Sequence, residues 1–106
     1  MSNLKITLIE AGAKPVEVEL ENPSFVKLKQ LLCCRDVEYI YLDGGTHVMV
    51  LDEDGIPLKR KVNAWGTLLR DVNAPAYRSP IPVLGNVAIV SVKDLSDIPY
   101  ELSEEK

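Results

Sequence analysis

Apolar and polar residues alternate through most of Leu4-Lys5-Ile6-Thr7-Leu8-Ile9 and strictly through Val16-Glu17-Val18-Glu19-Leu20, which predicts two half-buried strands. Gly12 and Pro15 between them suit a hairpin loop, Gly by its tolerance of positive φ and Pro by its fixed one. Asn22-Pro23 then reads as a helix cap and first helical position. Phe25, Leu28, Leu31 and Leu32 follow at helical spacing with Lys27, Lys29 and Gln30 outward, predicting one amphipathic helix of about three turns. Val37–Leu42 and Thr46–Leu51 are β-rich and joined by Asp43-Gly44-Gly45, the chemistry of a tight hairpin. Ile40 and Leu42 oppose Val37, Tyr39 and Tyr41, so both faces are apolar and the hairpin is expected at the centre of a sheet, covered by a helix or a partner chain.

Asp52-Glu53-Asp54-Gly55 predicts a polar turn, and Asn63 to Arg70 a short helix capped by Asn63, with Gly66 weakening it by about 1 kcal/mol relative to Ala. Pro75, Pro80 and Pro82 predict a long ordered loop over residues 71–82. Asn86–Val92 is the last strand. The pattern as a whole predicts an α+β fold: a mostly antiparallel sheet of about five strands, one amphipathic helix and a second short helix. Residues 1–93 are expected to form a single domain and residues 94–106 an acidic, partly frayed tail.

Composition changes this picture little. With 106 residues, 46% hydrophobic and 26% charged, the chain is in the range of a soluble globular domain. It has no apolar run of membrane-spanning length, and its start lacks a basic patch and long apolar stretch, so a cytoplasmic protein is expected. The adjacent Cys33 and Cys34 make neither a disulfide framework nor a zinc set, in keeping with a reducing compartment.

Charge adds more. Residues 1–58 sum to −5, residues 59–93 to +5 and residues 94–106 to −4. The one cationic segment also holds the sole tryptophan and a Pro-rich stretch, which are features that a phosphate-bearing nucleotide would use. In that reading Arg60, Lys61, Arg70 and Arg78 contact phosphate, Trp65 or Tyr77 offers a stacking face, and Asn63 bonds a base or ribose. The competing reading makes Lys59, Arg60 and Lys61 a solvated strand edge, Trp65 core and Asn63 a helix cap. Duplex nucleic acid is a poor candidate partner, because a net acidic domain lacks a broad positive footprint.

Catalytic constellations are sparse. His47 is the only histidine and no Gly-x-Ser-x-Gly elbow accompanies it, so it reads as an exposed or hydrogen-bonded sheet residue. Cys33 and Cys34 end the amphipathic helix, and at least one should face the core. Asp52, Glu53 and Asp54 lack the later ligands of a calcium loop, and Gly85-Asn86 precedes a strand where a phosphate loop precedes a helix. No enzyme, metal or cofactor is expected.

Four landmarks in order resemble a bacterial and phage family catalogued as domain of unknown function three-eight-four-six. They are Val37-Glu38-Tyr39-Ile40 before a Gly-containing turn, the acidic turn closed by Gly55, Val62-Asn63 with Thr67 and Leu68, and Leu84-Gly85-Asn86-Val87-Ala88-Ile89-Val90. Ala64 and Gly66 stand where the family carries a basic residue and an Ala. The resemblance implies a small cytoplasmic phage or mobile-element protein and carries over no catalytic residue. Two binding functions follow as expectations: sequestration of an anionic nucleotide-derived host immune signal as a counter-defence, or a protein–protein interaction module that inhibits or adapts a host or phage protein. A homo-oligomer is expected, since a hairpin apolar on both faces has one strong helix to cover it.

Overall fold

In the computed structural model, which describes residues 3–77, 79–96 and 98 with the Tyr77 side chain excepted, the alternating segments become strands of one sheet. They are β1 (Leu4–Ile9), β2 (Val16–Leu20), β3 (Val37–Leu42), β4 (His47–Asp52) and β5 (Val87–Ser91), in the spatial order β2-β1-β5-β4-β3 with every pair antiparallel. Helix α1 (Phe25–Leu32) follows β2, α2 (Ala64–Asn73) follows β4, and the short α3 (Val92–Ser96) follows β5. The chain is therefore α+β, as its periodicities predict. Among the described residues no helix is long and apolar enough to cross a membrane.

Because side chains alternate across a strand, the pairing register sorts the apolar residues into two cores. One face gathers Leu4, Ile6, Leu8, Val48, Val50, Ala88 and Val90 under Leu28 and Leu32 of α1, with Ile98 beside them. The other gathers Ile9, Ile40, Leu42, Met49, Leu51 and Val87 under the partly buried Leu69 of α2, with Ala74 just past that helix and Val83 of the segment before β5. Both faces thus have a cover within the chain.

Several expectations need correction. The β3–β4 hairpin is not central as a unit: β5 pairs with both β1 and β4, which puts β4 inside the sheet and leaves β3 at its edge with Tyr39 and Tyr41 exposed. The apolar residues on both faces of the hairpin are accounted for by β4, which is buried from Val48 to Asp52. Helix α1 is capped by Ser24, whose Oγ accepts from the Lys27 amide at 3.1 Å, while Asn22 takes φ 46° in the approach; the helix is eight residues long. Residues 71–73 continue α2, and a single 3-10 turn, Pro75–Tyr77, follows, so the long loop is shorter than the prolines suggest. The last strand ends at Ser91 because α3 begins there, taking up residues 92–96 of what reads as strand end and tail. Residues 99–106 of the tail lie outside the described residues.

Candidate functional site

Helix α2 is built inside out, and the reason lies in three polar side chains at positions 63, 67 and 70. Asn63 caps the helix: its Oδ1 accepts from Gly66 N at 2.9 Å. The same side chain is fully buried, and its Nδ2 donates to Ile9 O at 2.9 Å and to Gly85 O at 2.8 Å. Thr67 Oγ1 donates to Asn63 O and accepts from Val83 N, each at 2.8 Å. Arg70, 5% exposed, donates through Nη1 to Ile81 O at 2.9 Å, through Nη2 to Ser79 O at 3.1 Å and through Nε to Asp71 Oδ1 at 3.0 Å. Together they strap the irregular segment 79–85 over the sheet by its own backbone groups, the pairing that a covered loop requires. Gly66 is closely enclosed here, since a Cβ on it would stand 3.2 Å from both Asn63 Oδ1 and Val83 Cγ1, so those neighbours would have to shift by a few tenths of an ångström to admit one.

The opposite side of α2 carries Trp65, Leu68 and Val72, which are 42%, 54% and 65% exposed. A helix packed on a core ordinarily shows the reverse arrangement. Seven of the eleven exposed large apolar side chains among the described residues fall between Ile56 and Ile81, so this exposure is concentrated in one stretch of the chain.

The candidate ligand residues do not converge on one site. Arg60 Nε donates to the buried carboxylate of Asp52 at 2.9 Å and its Nη2 donates to Cys33 O at 3.0 Å, so Arg60 is largely an internal partner. Arg60 and Lys61 do border one shared recess of about 260 Å³, with Asp52, Gly85 and Asn86. Arg70 borders a separate recess of about 280 Å³ beneath the strap, with Glu38, Glu53 and Ser79. In that second recess burial and the charges of Glu53 and Asp52 push the Glu38 carboxyl above its ordinary value. Asn63 is held within the protein, and Trp65 stands exposed rather than in the core. The side chain of Tyr77, and Arg78 altogether, lie outside the described residues. Residues 59–61 are not a strand edge: Lys59 takes φ 54° in a turn, and pairing resumes at the Val62–Leu84 bridge.

The remaining candidates have local roles. His47 opens β4 with its ring half-exposed, its Nδ1 3.0 Å from Thr46 Oγ1 and 3.7 Å from Asp43 Oδ2. Cys33 is exposed at φ 58°, the left-handed residue that ends α1, while Cys34 packs partly against the first core. Burial, with Asp52 nearby, pushes the Cys34 thiol up to about 11, where it is a poor nucleophile. Among the described residues no group of three or more His, Cys, Asp or Glu side chains could hold a metal ion.

The outward apolar face of α2 is the feature that a search for charge and aromatic clusters passes over, although Trp65, Leu68 and Val72 stand at recognisable helix spacing. Comparison with protein-family models, with curated proteins and with solved structures returns no match, so the resemblance to domain of unknown function three-eight-four-six rests on its residues alone.

Proposed function

We propose that this protein is a non-enzymatic interaction domain that pairs through the outer face of α2 with the same helix of a second copy. The observation that carries this reading is a helix that buries Arg70 while exposing Trp65, Leu68 and Val72. Their spacing of three and then four residues is that of a helix–helix seam. A two-fold axis near Leu68 sets Trp65 of one copy against Val72 of the other and opposes the two helix dipoles. Such pairing covers all three apolar side chains of each copy, and a second copy is an occupant the chain itself supplies. Among the described residues β2 and β3 are the outer strands of the sheet, so a dimer presents each edge strand twice for inhibiting or adapting a host or phage protein.

Sequestration of a whole nucleotide by the segment from Lys59 to Arg78 receives less support, because Asn63 and Arg70 already donate to backbone carbonyls. Sedimentation velocity from about 1 to about 200 μM tests the pairing against a micromolar Kd. The expected result is a monomer–dimer equilibrium that Leu68→Asp abolishes without changing the circular dichroism spectrum. A wild-type monomer over the whole range, or an undiminished dimer in Leu68→Asp, overturns it.

A further inference from the structure

The recess between the β1–β2 loop, the end of α1 and the Gly85 turn has a one-sided set of unused polar groups. Both Asp52 oxygens are engaged, Oδ1 by Asp54 N at 2.8 Å and Oδ2 by Arg60 Nε at 2.9 Å. Asn86 Oδ1 is taken by Ala11 N at 3.0 Å. Among the described residues Lys61 Nζ, Asn86 Nδ2 and Arg60 Nη1 have no protein acceptor. All three are donors, two of them cationic, and they belong to residues that line a single recess of about 260 Å³.

The backbone beneath them is held in place. Gly85 N donates to Lys61 O at 2.7 Å, Asn63 Nδ2 holds Gly85 O, and a Cβ on Gly85 would stand 3.4 Å from Arg60 Cβ. Lys61 Nζ lies over Gly12, where a Cβ would stand only 2.7 Å away and where φ is +86°. The backbone that carries the donors is thus held in a fixed frame, while the exposed Lys61 side chain keeps its own rotamer freedom.

We infer that this recess binds a small tetrahedral oxyanion, of which the phosphoryl group is the type, with Lys61, Asn86 and Arg60 as its donors. Charge and size both select that class. The ionised lining of Arg60, Lys61 and Asp52 sums to +1, and anions accept charge-assisted hydrogen bonds from such donors. The volume lies below the roughly 300 to 1,000 Å³ that encloses a drug-sized ligand, so it suits a phosphoryl group with a short substituent better than a whole nucleotide. The inference is independent of pairing through α2, since none of its donors lies on that helix.

Inorganic phosphate titrated at constant ionic strength, read by amide chemical shifts, provides the test. Saturable shifts are expected at residues 11–12, 60–61 and 85–86, with a Kd of about 1 mM. Lys61→Met should weaken binding about tenfold or more with an unchanged unfolding midpoint. Asn86→Asp keeps the acceptor for Ala11 N but replaces the free donor by a negative oxygen, and should remove binding at the same concentrations. Arg60 is left unaltered because its loss would strand the buried Asp52 carboxylate. The absence of saturation by about 50 mM phosphate, or equal affinity in Lys61→Met, overturns the inference.

Discussion

Replacing Asn63 by Asp separates two roles that an Asn-to-Ala change would merge. As a helix cap alone Asn63 is replaceable, because Asp and Asn cap about equally well. Its second role is to bridge elements, since Nδ2 is the partner of two carbonyls, Ile9 O at 2.9 Å and Gly85 O at 2.8 Å, from a side chain with no exposure. Asp retains an oxygen for Gly66 N but turns another oxygen toward those two carbonyls. Two buried acceptors then lose their donor, at about 1 to 3 kcal/mol each, and a carboxylate faces them without a counter-charge. A loss of about 3 to 5 kcal/mol is expected at neutral pH, comparable with much of the stability of a small domain. Urea unfolding followed by circular dichroism measures it, with Asn63→Ala expected to fall in the same range. An Asn63→Asp stability within about 0.5 kcal/mol of wild type would show that the cap is the whole role and refute the tie between β1, α2 and the strap.

Other outcomes follow from the same packing. Leu28 is fully buried beneath the sheet, so Leu28→Ala should cost about 2 to 5 kcal/mol, whereas Lys27→Ala should cost much less; equal shifts in urea midpoint would misplace the α1 face. At pH 8 a thiol reagent should modify exposed Cys33 first and Cys34 slowly, since the latter thiol is held near 11, and Cys33→Ser should remove the fast phase. Glu38 has a raised carboxyl pKa, so its ionised form opposes folding above that pKa, and this penalty is relieved as pH falls through the folded and then the unfolded value. Glu38→Gln should therefore be more stable than wild type at pH 7, with the difference closing once both states of the wild type are protonated; a pH-independent difference would refute the assignment.

The strands were legible wherever one face of the sheet is repeated locally, as in Val16-Glu17-Val18-Glu19-Leu20. Sheet order was not, because the insertion of β5 between β1 and β4 pairs residues about eighty positions apart, such as Thr7 with Ile89. The Asn63 cap was visible next to its helix, while its bonds to Ile9 and Gly85 leave no mark in local pattern. Arg70 read as a free cation for the same reason: its acceptors are carbonyls of Ser79 and Ile81, and a sequence shows charge but not which carbonyls are bare. With those polar groups turned inward, the inference that apolar means buried failed at Trp65.

Trp65 is the sole tryptophan and stands in the proposed seam, so its fluorescence reports on pairing without a label. Emission recorded across a dilution series from about 200 to about 1 μM should shift from the blue of a buried indole to the red of a solvated one, because the two copies separate as concentration falls. Leu68→Asp should emit at the red limit at every concentration. A wild-type spectrum that stays at that red limit from end to end would contradict the claim that α2 is the contact surface.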